Sequence, residues 1–148
     1  MVASDARHLA AWHDDAKLTA AFVAANWTQL ADARDWLRWR LSDPAFESYL
    51  VLGPESTAIG VVWFQRWSNA DPSISFAICE AWRNRGFGRR AVQAGLELSV
   101  RRGRRRLRAL VLRTNAASRA LVCSLGFTQV AARSGEIVEY RWQVQAWT

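Results

Sequence analysis

Between Ser73 and Val100 the hydrophobic period of this chain changes across one glycine-rich turn, and that junction limits the available folds more than any other feature. "SISFAIC" (73–79) reads as a strand, whereas Ala91, Val92, Gly95, Leu96, Ser99 and Val100 form a small, apolar stripe at helical spacing. A strand therefore feeds directly into a helix packed on a sheet. The connecting stretch "EAWRNRGFGRRAV" (80–92) sets four arginines around Gly86 and Gly88.

The flanking segments extend this pattern. "DARHLAAWHDDAK" predicts a helix opening at an Asp5 cap, and "LADARDWLRWRLSD" predicts a second with Leu30, Ala33, Leu37 and Leu41 on one side and Trp36 beside them. "LTAAFVAANWTQ" between them has no clear period. "ESYLVLG" and "TAIGVVWFQRW" around "GPES" predict a hairpin, and "RLRALVL" predicts a strand covered on both faces. "NAASRALVCSLGF" reads as a helix capped by Asn115 and stopped by Gly126, followed by a hairpin of "FTQVAAR" and "EIVEYRWQV". The expected order is helices, three antiparallel strands, helix, strand, helix and two strands: a single α/β (α+β) domain over residues 1–148.

Composition narrows the functional classes. The 148 residues carry a net charge of +7, and Lys17 is the one basic side chain of twenty that is not arginine, which favours forked recognition of phosphate or carboxylate. Cys79 and Cys123 are too far apart in sequence to suggest a metal site or a disulfide framework, so no metal is expected. The charged N-terminus lacks the apolar run of a signal peptide or membrane span, and a soluble cytoplasmic protein with no membrane partner is expected.

A strand ending at a glycine-rich turn aims unbonded N–H groups and the positive end of a helix dipole at one point. Gly86 and Gly88 remove side chains that would hold a phosphate away, and Arg83, Arg85 and Arg89 can surround a diphosphate. The alternative is a tight turn with solvated arginines. The run "RRGRRRLR" (101–108) is open in the same way: it is a solvated basic edge complementing a helix end, or a contact for RNA or another polyanion.

With Arg83, Gly86 and Gly88 in "RNRGFG", and Asn115, Ser118, Leu121, Gly126 and Phe127 about thirty residues on, the chain resembles the GNAT superfamily of acetyl-CoA-dependent N-acetyltransferases. The details are most similar to the branch that contains the Rim-type ribosomal-protein N-terminal acetyltransferases and also includes small-molecule and antibiotic acetylators. The resemblance implies a mostly antiparallel mixed sheet of six or seven strands flanked by about four helices. It differs from the family in that the first strand is missing or very short, which leaves an edge for the C-terminal tail or for another chain, as in a homodimer, to cover. Val122 stands where many relatives carry a tyrosine acid, and Ser73 where the Rim-like branch often carries a carboxylate.

The resemblance also implies a site. Arg83, Asn84, Arg85, Gly86, Phe87, Gly88 and Arg89 would hold the diphosphate of acetyl-CoA, with Ile78, Cys79 and Glu80 on the strand edge and Asn115 and Ser118 on the next helix. The N–H of Ile78 or Cys79 would polarise the thioester carbonyl, and a primary amine, on a protein N-terminus or a small molecule, would attack directly in a ternary complex. Ser118 is either the residue nearest the sulfur or part of the first helical turn. Glu80 is either a catalytic base or an ion partner of Arg83 or Arg85; Glu47 and Asp71 are further candidate bases, with His13 more remote. Two other readings remain: a silent acyl-CoA-binding or partner-binding subunit, and an arginine-rich nucleic-acid module, with nucleic acid otherwise met only near a ribosomal substrate.

Overall fold

The computed structural model describes residues 3–5, 7–8, 12, 33–67, 70–130 and 135–145. Among them, from residue 33 on, the α-helices and strands follow in chain order: α1 (Ala33–Ser42), β1 (Phe46–Leu52), β2 (Ala58–Gln65), β3 (Ser73–Ile78), α2 (Phe87–Arg101), β4 (Arg106–Leu112), α3 (Ala116–Ser124), β5 (Thr128–Gln129) and β6 (Ile137–Gln143). The strands make one sheet in the order β1-β2-β3-β4-β6-β5. Every neighbouring pair is antiparallel except β3 and β4, which are parallel and joined by the α2 crossover.

Among the described residues, six strands and the helices α1, α2 and α3 give the expected mixed α+β architecture. In the N-terminal stretch, Ala3–Asp5 form a 3₁₀ turn and residues 7, 8 and 12 are helical. The expectations for Leu30 and His13 and for the Trp36 and Leu37 side chains lie outside the described residues. The hairpin turn falls at "GPES", where Gly53 N–H donates to Thr57 O at 2.8 Å. The strand expected over "FTQVAAR" is short: β5 holds two residues, and 131–134 lie outside the described residues.

Alternation along the strands sorts the side chains between two faces. Phe64, Ile74, Leu107, Ala109, Val138 and Tyr140 pack with Val92, Leu96, Val122 and Phe127 in one core beneath α2 and α3. Gly95 is what lets α2 approach, since a Cβ there would lie 2.9 Å from Ile74 Cδ1. Of the expected stripe on α2, Val100 falls outside the core at 46% exposure. Ile59, Val61 and Trp63 are buried as well. β4 is fully covered on one face, by Leu107, Ala109 and Val111, whereas on the other Arg108 is buried, Leu110 and Leu112 are half-buried and Arg106 is exposed, so the expected cover on both faces is only partial.

α1 departs from expectation at its C-terminal end. Leu41 is 44% exposed, and Arg40 is 1% exposed in its place. At 100° per residue, position 40 returns to within about 20° of position 33, whereas position 41 lies about 80° away. The Arg40 guanidinium sits 3.9 Å from the centre of the Phe46 ring and 5.3 Å from that of Trp63. Burial pushes its pKa down to about 9, against a smaller raising effect from the Asp43 charge.

Candidate functional site

The site begins with a strand pair that comes apart. β3 and β4 share a single bridge, Ser73 to Arg108, where Arg108 N–H donates to Pro72 O at 2.9 Å. Beyond it the two strands diverge. Cys79 N–H donates to Ile59 O at 2.9 Å, so the odd-numbered residues of β3 direct their main-chain groups at β2. The even-numbered residues, Ile74, Phe76 and Ile78, therefore direct theirs toward β4. Past the bridge, the N–H groups of Phe76 and Ile78 face the wedge between the strands.

At the wide end of this wedge the chain turns into α2. A 3₁₀ turn, Glu80–Trp82, is followed by Asn84 at φ 59° and Gly86 at φ 79°. Gly86 needs to be glycine for its conformation, and a Cβ there would meet nothing within 4 Å. Gly88 is closely packed: a Cβ would lie 3.3 Å from both Leu121 Cδ1 and Phe76 Cε2, and those side chains would have to shift by a few tenths of an ångström to admit it. The first intrahelical bond of α2 runs from Arg90 N–H to Gly86 O at 3.2 Å, which leaves the N–H groups of Phe87, Gly88 and Arg89 without intrahelical acceptors. Trp82 steadies the turn, with its ring edge-on to Phe87 at 5.4 Å and Arg85 stacked over it at 5.3 Å.

The far wall is α3. Asn115 Oδ1 accepts from Ser118 N–H at 3.1 Å, so the cap uses the main chain of Ser118 and not its hydroxyl. Arg119 donates from Nε to Tyr140 Oη at 2.9 Å and from its terminal nitrogen to Arg113 O at 3.1 Å, tying this wall to β6 and to the end of β4. Arg89 donates to Ser124 Oγ at 2.5 Å and links the two helices. Between these walls lies a cleft of about 630 Å³.

Of the residues expected from sequence, Ile78, Arg83, Asn84, Gly86, Gly88, Arg89, Asn115 and Ser118 line the cleft together. Four expected cofactor residues do not. Cys79 has its N–H committed to Ile59, which narrows the expected carbonyl donor to Ile78. Glu80 stands exposed on the 3₁₀ turn, Arg85 stacks outward on Trp82, and Phe87 faces a second, apolar cavity against β1 and β2. Sequence reasoning missed Phe76, Ala77, Leu112, Thr114, Ala117 and Leu121, which also line the cleft. Strand alternation singles out Phe76; the others depend on where β4 and α3 pack.

The other candidate bases are held elsewhere. Glu47 is bound by both Arg102 and Arg104 and accepts from Tyr49 Oη at 3.1 Å, beyond the C-terminus of a helix whose N-terminus forms the cleft. Fifteen residues of α2 put about 22 Å between those ends. Burial alone would raise the Glu47 pKa, but the hydrogen bond and charge of Arg104, the Tyr49 hydroxyl and the charge of Arg102 outweigh it and hold the carboxyl below its usual value. Asp71 pairs with Arg106 at 3.3 Å. Val122 is 1% exposed in the core and Ser73 accepts from Trp67 Nε1 at 3.1 Å, so both are structural in this chain.

The arginine run also changes meaning. Arg102 and Arg104 hold Glu47, Arg106 holds Asp71, and the buried Arg108 lies 4.0 Å from Glu139, which Arg141 also contacts at 3.0 Å. Four of the run's six arginines fasten β1, the segment before β3, and β6 to the end of α2 and to β4. Arg101 and Arg105 of the run remain exposed. Among the described residues no helix is long and apolar enough to cross a membrane.

A family profile described as an acetyltransferase (GNAT) domain matches residues 1–128. A search of curated proteins finds no match. Among solved structures, the chain is similar to an acetyltransferase from Thermus thermophilus, with 21% identity, 97% of this chain and 94% of that chain covered, and a TM-score of 0.78. A ribosomal-protein-alanine N-acetyltransferase from Brucella melitensis shows 20% identity over 97% of both chains with a TM-score of 0.75. The Vibrio cholerae spermidine N-acetyltransferase in complex with CoA and spermine shows 14% identity, 97% and 92% coverage and a TM-score of 0.78.

Proposed function

The chain belongs to the GNAT acetyltransferase family and transfers acetyl groups from acetyl-CoA; from that premise we propose that its acceptor is an α-amine, such as a polypeptide N-terminus, which attacks directly while both substrates are bound. One observation carries the choice of acceptor. Among the described residues, the lining of the cleft contains no carboxylate and no imidazole. A reaction without a base from these walls favours an amine that is already neutral. An α-amine, with a pKa of about 7.7–8.0, is partly so at pH 7, whereas a lysine amine at about 10.4 is almost wholly protonated.

The cleft suits acetyl-CoA in three respects. The N–H groups of Phe87, Gly88 and Arg89 and the positive end of α2 face the open space beside Gly86, a cradle for a diphosphate. The open edge of β3 offers the N–H groups of Phe76 and Ile78 to an extended pantetheine arm. Ile78 N–H is the donor we assign to the thioester carbonyl, where it stabilises charge growing on the oxygen. Acetyl-CoA supplies the acetyl group already activated as a thioester. The amine nitrogen bonds to the carbonyl carbon, the carbon–sulfur bond breaks, and the proton leaving nitrogen ends on sulfur or in water.

Ser118 is the residue we place beside the sulfur, since its hydroxyl is not needed by the Asn115 cap. With Val122 in the core, the thiolate leaves without a tyrosine acid, which a thiol pKa of about 8.5 makes tolerable near neutrality. The similarity of "WRNRGFGRRA" to the Rim-type branch supports a polypeptide acceptor.

Release of CoA thiol from acetyl-CoA, measured against peptides with free N-termini, Nα-acetyl-lysine and polyamines, tests this reading. The free N-termini are expected to react fastest at pH 7, with a rate that rises with pH, passes half its maximum near pH 8 and levels off about one pH unit higher. A preference for lysine or polyamine amines, or a rate governed by a group titrating well below pH 7, would contradict it.

A further inference from the structure

The geometry points to Arg83 as a positioning residue that acts through the main-chain carbonyl of Ile78, so that its side chain serves the chemistry more than the grip on CoA. The inference rests on the reading that Ile78 N–H polarises the thioester carbonyl. In an extended strand the N–H and C=O of one residue point the same way. Ile78 O therefore faces the same wedge as Ile78 N–H, and left bare it would set a partial negative charge beside the oxygen on which negative charge grows.

Arg83 covers that carbonyl. Its Nε donates to Ile78 O at 2.8 Å, and the half-buried guanidinium lines the cleft. The peptide unit joining Ile78 to Cys79 is then held at both ends, by Arg83 on its oxygen and by Ile59 O on its N–H at 2.9 Å. Two consequences follow. The orientation of Ile78 is set at the point where β3 leaves the sheet, and the field at the wedge becomes positive where an uncovered carbonyl would make it negative. A donor fixed before the substrate arrives needs no reorganisation during the reaction. The diphosphate, by contrast, has the helix N-terminus and its three main-chain N–H groups.

Two measurements on the full chain separate this role from that of a phosphate ligand, and neither needs a known acceptor. CoA affinity is read by calorimetry. Carbonyl polarisation is read by isotope-edited infrared spectroscopy of bound [1-¹³C]acetyl-CoA, whose carbonyl band moves to lower wavenumber when a donor engages it. In the unaltered chain the band is expected to move. In Arg83→Met most of that displacement should vanish, while the dissociation constant for CoA changes by less than about threefold, short of the roughly tenfold or greater loss expected when a charge-assisted phosphate contact is removed. Arg83→Lys should regain part of the displacement, because one donated bond to Ile78 O is what the site requires. Arg83→Met with the full displacement, or with a tenfold loss of CoA affinity and the displacement intact, would overturn the inference. A band that fails to move in the unaltered chain despite CoA binding would sink the Ile78 reading itself, and the role of Arg83 with it.

Discussion

Replacing the main-chain N–H of Ile78 by an ester oxygen, through semisynthesis with the matching hydroxy acid, is expected to lower kcat for acetyl transfer by about 10²–10³-fold. The substitution keeps the buried isoleucine side chain and removes one donor. That donor faces the wedge, because Cys79 N–H and the other odd-numbered groups of β3 are directed at β2 and Arg108 N–H reaches Pro72 O from the opposite side. The effect should fall on turnover. Affinity for CoA, which lacks the acyl carbonyl, should stay within about threefold, well under the tenfold that 1.4 kcal/mol represents. An ester variant that turns over at the unaltered rate would remove Ile78 from the mechanism.

The second large effect is expected at the other end of the cleft. Gly86→Glu places an ordinary side chain at φ 79°, which strains the backbone by roughly 1–2 kcal/mol, and puts a carboxylate in the open space where the diphosphate is assigned. A carboxylate at a helix N-terminus partly offsets the strain, so the chain should still fold. It also occupies the field meant for the diphosphate. CoA affinity is expected to fall about tenfold to a hundredfold, and Gly86→Ala, which carries the strain without the charge, should lose much less. The gap between the two variants should narrow as salt is added, as expected of a screened charge. Equal affinities in both variants and the unaltered chain would place the diphosphate elsewhere.

What could be read from the sequence divides along a physical line. Local pattern sufficed for the strand–turn–helix junction, since the period change and the Gly86–Gly88 spacing lie within one stretch of chain. The different reasons for the two glycines were not local. Gly88 answers to Leu121, thirty-three residues on, and Gly86 to a backbone angle. The choice between Ile78 and Cys79 as donor was hidden for the same reason, because it depends on which residues of β2 they oppose. Charge was legible and pairing was not: only the fold brings Glu47, Asp71 and Glu139 to four of the six arginines of the 101–108 run. At Arg40 and Leu41 a choice by hydrophobicity lost to helix geometry, and the arginine went inside against aromatic rings.

Backbone amides hold both halves of the substrate in this reading, so the amides themselves provide the most direct test. In a two-dimensional ¹H–¹⁵N spectrum titrated with acetyl-CoA, the largest shifts are expected at Phe87, Gly88 and Arg89 and at Ile78, with smaller ones from Thr114 to Ser118. Largest shifts along Arg101 to Arg106, or a spectrum unchanged at saturating acetyl-CoA, would contradict the placement of the cofactor between β3, β4 and the start of α2.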